Sequence, residues 1–261
     1  MRLYLLVVIF LLSFQAHAAE WHEISAIGEL LRSSGVNGTF VVHDVTAQTF
    51  SGHDKARAEK RFSPASTFKI PNSLIGLSVG AVASVDEILP YKGPREPFIK
   101  AWAKDMGLRE AFSLSNVPIY QELARRIGLD RMRESLALME YGNKDIGDAV
   151  DSFWLTGPLR ISAMEQCQFL ARLAQQALPF PMDAQRSVRD IALTEEGANW
   201  KLFSKTGWQN APEQGVGWWV GWIEKDGRIF VFALNIDIQK ASDAGKRIEL
   251  GKAALKMLGY L

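Results

Sequence analysis

Ser66 and Lys69 stand three residues apart in the stretch Pro64-Ala65-Ser66-Thr67-Phe68-Lys69. On a helix, positions i and i+3 share a face, so the Ser66 hydroxyl and the Lys69 amine can meet beside the first backbone N–H groups. A serine hydroxyl at its ordinary pKa is a weak nucleophile and is activated by an adjacent base. A neutral lysine, or a group made from it, could be that base. Taken alone, the pattern is short, and a solvated helix lysine accounts for it as well. Two further stretches change the balance. Lys205-Thr206-Gly207 closes a strand-like run, and its glycine would let another backbone or a substrate approach a strand edge. Ser115-Asn116-Val117 lies at a loop-to-helix junction, where Ser115 could cap the helix.

The elements that must position these residues are legible in part. Glu23–Ser33 has helical spacing in Ile24, Ile27, Leu30 and Leu31 and ends before Gly35. Gly38–Asp44 and Gln48–Gly52 read as strands joined by a tight turn, and His53–Arg61 as a charged, helix-poor link. A helix runs from Ser66 to Gly80, and Pro71 inside it predicts a kink or a loosened first turn. Short helices follow at Ile99–Asp105 and Leu108–Leu114. Pro118 sits favourably at the start of the next, through Ile127, and another spans Leu129–Met139. Ser162 with Glu165 makes a capping box for a helix to Ala177. Strand character returns at Trp200–Thr206. Val216, Trp218, Val220 and Trp222 share one face of the next strand. Asp226-Gly227 marks a hairpin, and Ile229–Asp237 is apolar enough to be covered on both faces. Asp243–Leu258 closes the chain as a helix. The expected fold is α+β: an antiparallel sheet flanked by helices, with a helical lobe over about residues 66–178 interleaved between sheet segments.

The chain has 261 residues, 48% of them hydrophobic and 23% charged, so disorder and coiled coil are both disfavoured. Its net charge is +1 with no basic stripe, which argues against nucleic acid as a partner. Met1-Arg2, the apolar run Leu3–Phe14 and Ala16-His17-Ala18 have the pattern of a cleaved export signal. The run falls short of the roughly 20 residues needed to span a bilayer. Residues 1–18 are therefore expected to leave, giving a periplasmic single domain over 19–261 with no lasting membrane insertion, as a monomer or homodimer. Losing Arg2 takes 30 basic residues to 29, against 29 acidic, so the mature chain is formally neutral. The single cysteine, Cys167, excludes an internal disulfide and reads as a small buried apolar residue. His22, His43 and His53 lack metal-ligand spacing. Gly215-x-Gly217 is followed by Trp-Trp-Val on a strand and is not a dinucleotide fingerprint.

Ser-x-x-Lys, a serine triplet and Lys-Thr-Gly, in this order, form the acyl-transfer set of β-lactamases and penicillin-binding proteins. With Tyr141-Gly142-Asn143, Trp154-Leu155 and Gly217-Trp218-Trp219-Val220-Gly221-Trp222 added, the sequence resembles the class D, oxacillinase-type serine β-lactamases over essentially the whole mature chain. Val117 stands where class A enzymes and penicillin-binding proteins carry Asn. The resemblance implies that Ser66 forms an acyl-enzyme with a β-lactam. It implies that Lys69, N-carboxylated by CO2 or bicarbonate, is the general base, with no other cofactor and no metal. It places the Trp154 indole on that carbamate, and Ser115 as the relay of a proton to the leaving nitrogen. Lys205 and Thr206 would hold the substrate carboxylate, with Gly207 and Val117 at the binding site. The N–H groups of Ser66 and Trp208 would form an oxyanion hole, worth about 3–4 kcal/mol per donor in other enzymes. Arg247 is the candidate second carboxylate anchor, with Lys246 beside it as the alternative. Tyr141-Gly142-Asn143 would shape the cleft wall or make an ordinary turn, and Gln209–Gly215 would shape access to it. Burial of Lys69 by Phe68, Val117, Trp154 and Leu155 would favour the neutral amine that CO2 requires. Rival readings are a penicillin-binding peptidase or transpeptidase that releases slowly, and a β-lactam sensor that never turns over.

Overall fold

The nearly all-apolar run at Ile229–Asp237 becomes the middle strand of the sheet. A computed structural model describes residues 20–210 and 215–261; the expected leader and most of the Gln209–Gly215 connection lie outside the described residues. The strands are β1 (Trp21–Glu23), β2 (Gly38–Asp44), β3 (Thr49–His53), β4 (Leu193–Glu196), β5 (Trp200–Gln209), β6 (Gly215–Lys225) and β7 (Arg228–Ile238). They form one seven-stranded sheet in the order β1-β3-β2-β7-β6-β5-β4. β6 and β7 pair antiparallel from Gly215 opposite Ile238 to Lys225 opposite Arg228. Their turn places Asp226 at φ 50° and Gly227 at φ 74°, the doubly left-handed geometry that Asp-Gly favours. The sheet is mixed rather than purely antiparallel, because β1 runs parallel to β3. The short β1 falls just before the helical spacing begins and carries no strand signal of its own.

The period-2 pattern of β6 divides two cores. Val216, Trp218, Val220 and Trp222 face the helical lobe. Trp219 and Ile223, with Phe230, Phe232 and Leu234 of β7, pack on the other face against α1 (Ser25–Ser33) and α9 (Lys246–Met257). Between β3 and β4 lie α2 (Lys55–Glu59), α3 (Lys69–Ser78), α4 (Leu108–Ser113), α5 (Val117–Ile127), α6 (Leu129–Met139), α7 (Ala163–Ala174) and α8 (Met182–Ala192). The link expected to be helix-poor thus contains α2, started by Asp54, whose side chain accepts the Arg57 N–H. α8 follows Pro181 and buries mainly Ala184, Gln185, Val188 and Ile191, too small an apolar stripe to announce itself. The helix expected at Ile99–Asp105 is only a 3-10 turn over Lys100–Trp102. The Ser162–Glu165 capping box is present and starts α7, which packs on β2, β6 and β7. Cys167 on α7 is fully buried. Among the described residues, no helix is long and apolar enough to cross a membrane.

Candidate active site

The Ser66 turn is built differently from a simple helix start. Ala65–Phe68 form a 3-10 turn, and α3 begins at Lys69. Pro71 supplies the reason. It has no N–H to offer the Thr67 carbonyl, and that carbonyl instead accepts a shorter-range bond at the end of the turn. The expected loosening of the first turn takes this form. Ala65 sits at φ 46°, a left-handed conformation that costs a side-chain-bearing residue about 1–3 kcal/mol. A frame of bonds holds it there. The Ala65 N–H and the Ser63 hydroxyl both donate to the Trp154 carbonyl at 3.0 Å. The Trp218 indole donates to the Ser63 carbonyl at 2.8 Å. Thr67 Oγ1 donates to the Pro64 carbonyl at 2.7 Å and accepts from Gln166 Nε2 at 2.8 Å.

Within this frame Lys69 Nζ donates to Ser66 Oγ at 3.0 Å. Lys69 is 1% exposed. Burial holds its amine well below the ordinary lysine pKa, and the nearby charge of Lys205 pushes the same way. The aromatic residues behind the turn are tightly layered. Phe68 stacks on Trp154 at 5.2 Å and meets Phe153 edge-on at 5.0 Å. Trp154 is fully buried, and its indole N–H has no acceptor among the described residues. A buried donor left unpaired costs about 1–3 kcal/mol. Leu155 and Val117 are half-buried.

Ser115 does not cap α5. Asn116 does, its side-chain oxygen accepting the Ile119 N–H at 3.1 Å while its amide donates to the Trp102 carbonyl at 3.1 Å. Ser115, at φ 55°, is thereby left to face the cleft, and its hydroxyl accepts from Lys205 Nζ at 3.0 Å. Lys205 also donates to the Thr206 carbonyl at 3.2 Å. Burial and then the charge of Arg247 push its amine down to about 7. The close approach anticipated at Gly207 is real: a Cβ there would lie 3.0 Å from both the Pro64 carbonyl oxygen and Thr67 Cγ2. β5 therefore lies directly against the Ser66 turn.

Arg247 and Lys246 separate clearly. Lys246 turns away to Asp243, at 3.1 Å, and to the Ser34 carbonyl. Arg247 donates to the Gly207 carbonyl at 2.6 Å and to the Ala244 carbonyl at 2.6 Å, and burial lowers its pKa. It lines a cleft of about 460 Å³ together with Ser66, Ser115, Thr206 and Gly207. Ile99, Trp102, Leu114 and Val117 form the apolar side of the same cleft. Phe98, 80% exposed at its mouth, meets Trp208 edge-on at 6.2 Å. The cleft thus gathers Ser66, Ser115, Val117, Thr206, Gly207, Trp208 and Arg247, with Lys69 and Lys205 bonded to its two serines.

Tyr141-Gly142-Asn143 does not line this cleft. Tyr141 is buried behind it, edge-on to Phe68 at 5.8 Å, and Gly142, at φ 53°, passes tightly against the Arg160 carbonyl. Residues 211–214 of the connecting loop lie outside the described residues. The sequence reading missed Asn116 as the cap, Phe112 beneath Lys205 at 5.5 Å, and Tyr120, whose ring centroid is 5.2 Å from Lys69 Nζ. Tyr120 falls on the same helix as Val117, which was the available signal. Among the described residues, no cluster of His, Cys, Asp and Glu could hold a metal.

Residues 38–256 match the penicillin-binding protein transpeptidase domain family. The chain is 38% identical to beta-lactamase OXA-48 of Klebsiella pneumoniae, over 98% of each protein. It is 38% identical to beta-lactamase OXA-10 of Pseudomonas aeruginosa, over 90% of each. The crystal structure of FUS-1 (OXA-85), a class D beta-lactamase of Fusobacterium nucleatum subsp. polymorphum, aligns with a TM-score of 0.89 at 43% identity, over 92% of this chain and 100% of that one.

Proposed function

The chain belongs to the class D β-lactamases, within the transpeptidase domain family, and on that premise we propose that it hydrolyses β-lactam antibiotics through an acyl-enzyme on Ser66, conferring resistance. Ser66 Oγ attacks the lactam carbonyl carbon, the carbonyl electron pair moves to oxygen, and the hydroxyl proton leaves to a base at Lys69. As the tetrahedral species collapses, the carbon–nitrogen bond breaks. Ser115, held by Lys205 at 3.0 Å, gives its proton to the departing nitrogen and regains one from the base at Lys69, which is thereby free again. Arg247, with Lys205 and Thr206, receives the substrate carboxylate. The N–H groups of Ser66 and Trp208 take the developing oxyanion. Water then attacks the ester carbonyl, the same base accepts its proton, and as the carbonyl re-forms the bond to Ser66 Oγ breaks and Oγ takes that proton back.

The base is Lys69 after reaction with CO2. In that reaction the Nζ lone pair bonds to the CO2 carbon, a carbon–oxygen pair moves to oxygen, and Nζ releases a proton to solvent. Bound there, the carboxylate supplies a proton acceptor for acylation and for deacylation. One observation carries this reading: the buried Lys69, whose neutral amine is favoured, follows Phe68, and Phe68 stacks on Trp154, whose indole N–H has no acceptor among the described residues. An oxygen anion on Lys69 would satisfy the Trp154 donor, which the bare amine leaves unpaired. Export to the periplasm through residues 1–18 completes the proposal.

Mature protein is incubated with excess chromogenic cephalosporin. Many turnovers per molecule are expected. A single stoichiometric burst would overturn hydrolysis in favour of a slowly released penicillin-binding peptidase or a sensor. Protein stripped of CO2 at low pH should regain turnover on adding bicarbonate. Turnover indifferent to bicarbonate would sink the carboxylated base.

A further inference from the structure

Ser115 stands in a conformation that its residue type does not ask for, held through its hydroxyl by Lys205 and through its chain neighbours by Trp102. Its φ of 55° lies in the left-handed region that side-chain-bearing residues seldom adopt. The Leu114 carbonyl, on one side, accepts the Trp102 indole N–H at 2.9 Å. On the other side, the Asn116 amide nitrogen donates to the Trp102 carbonyl at 3.1 Å and lies 3.4 Å from Met106 Sδ. The Asn116 side-chain oxygen accepts the Ile119 N–H at 3.1 Å, so the amide cannot turn over without setting two donors against each other. Asn116 is fully buried, and its backbone N–H reaches the Ala111 carbonyl at 2.8 Å. This residue therefore ties α4, the start of α5 and the Trp102 wall of the cleft together. A helix cap needs only the oxygen, which serine or aspartate would also supply. Capping leaves the amide nitrogen unexplained.

We propose that Asn116, with the Trp102 indole, is a positioning clamp for proton transfer from Ser115: it keeps the left-handed backbone that aims Ser115 Oγ into the cleft. The inference rests on the reading of Ser115 as proton donor to the leaving nitrogen. When the lactam carbon–nitrogen bond breaks, its electron pair stays on nitrogen, which takes the Ser115 proton. With the clamp cut, only the 3.0 Å bond from Lys205 resists relaxation of Ser115 toward an ordinary φ, and Oγ drifts from the leaving group. Only the step that needs its proton then suffers. Trp102 also lines the cleft, so the wall that a substrate touches and the hydroxyl that protonates it share one frame.

The test sets a penicillin against an acyclic aryl ester carrying the same side chain and a carboxylate. In the ester the carbon–oxygen bond breaks and the pair leaves on a phenoxide, whose pKa of about 10 spares it the proton that nitrogen requires. The ratio kcat/KM, which reports acylation, is measured for wild type, Ser115→Ala, Asn116→Ser and Trp102→Phe. Ser115→Ala should lose about 10²-fold on the penicillin and no more than about threefold on the ester. Asn116→Ser keeps an oxygen to cap α5 but has no amide to reach Trp102. It should lose about tenfold on the penicillin and stay within about twofold on the ester, as a displaced rather than missing proton donor would. Trp102→Phe keeps a ring in the wall and cuts the indole bond, so its penicillin-to-ester ratio should fall by about threefold. It decides the matter if Asn116→Ser does not fold, as judged by thermal melting. Equal losses on both substrates, or none on either, in the folded clamp variants would overturn this proposal alone. Equal losses in Ser115→Ala would overturn the proton relay, and this proposal with it.

Discussion

Two lysines serve one cleft, and their surroundings are opposites. Lys69 sits on the floor, with Ser66 Oγ as its acceptor among the described residues and the Tyr120 ring beside it. Lys205 sits under the rim, with Ser115 Oγ and the Thr206 carbonyl as acceptors and the Arg247 guanidinium near enough to act on it. Both are buried, at 1% and 5% exposure. Burial pushes both amines down, Lys69 well below its ordinary value and Lys205 to about 7. The difference lies in what an arriving group meets. On the proposed mechanism a substrate carboxylate at the rim would meet Lys205 and Arg247 and draw a proton onto Lys205. On the same mechanism CO2 reaching the floor would meet a neutral amine, with the Trp154 indole, unpaired among the described residues, to receive the carboxylate. On the proposed mechanism the same residue type is a cationic anchor in one place and a nucleophile toward CO2 in the other.

The largest test of this contrast is Lys69→Ala against Lys205→Ala. General acid–base catalysis contributes about 10²–10⁴-fold, so Lys69→Ala should lower kcat by about 10³-fold, leaving a persistent acyl-enzyme visible by mass spectrometry. Lys205→Ala should act mainly on KM, and equal kcat losses would erase the contrast. Next comes the anchor. Hydrogen bonds to charged groups are worth about 1.5–3 kcal/mol, so Arg247→Ala should raise KM by about 10–100-fold. Lys246→Ala, which removes a group already paired with Asp243, should leave KM within about twofold, as for an exposed ion pair.

A smaller effect concerns stability and pH. Lys205 has a folded pKa of about 7 against an ordinary 10.5, so between those values the unfolded chain binds more protons. Stability must then rise with pH across that window. Lys69, also held well below the ordinary lysine value by burial, contributes in the same direction. Melting temperatures of CO2-free protein should climb between pH 7 and 10, and Lys205→Met should flatten part of the rise. The smallest effect is at His43, buried against Phe50 at 4.4 Å and lowered by burial from 6.5. Stability should fall as pH drops through the ordinary histidine range, and His43→Gln should reduce that slope.

The sequence reveals the chemistry of the site better than its construction. Ser66, Lys69 and Lys205-Thr206-Gly207 are readable because residue type and order carry the signal. The hairpin at Asp226-Gly227 and the two-faced β7 are readable from period and turn chemistry. The left-handed backbone at Ala65 and Ser115 is not, because neither residue type asks for it; the conformation is imposed by bonds to distant Trp154 and Lys205. Pro71 hints at the 3-10 turn without placing it. Asn116 and Ser115 are both competent caps, and only the structure assigns the cap to Asn116. Arg247 separates from Lys246 only once Asp243 claims the latter.

The bonds around Ser63 have a consequence for how the chain acquires activity. Ser63 is tied to Trp154 across 91 residues and to Trp218 across 155, and Ser115 to Lys205 across 90. None of these contacts can exist until the middle of the chain and the late strands have docked. Closing loops of that length makes such contacts slow to form. The Ser66 turn in an emerging or threading chain is then ordinary peptide, with a solvated serine and a protonated lysine. Catalysis switches on with the last strands, so regain of turnover during refolding reports completion of the whole sheet rather than formation of the local helix.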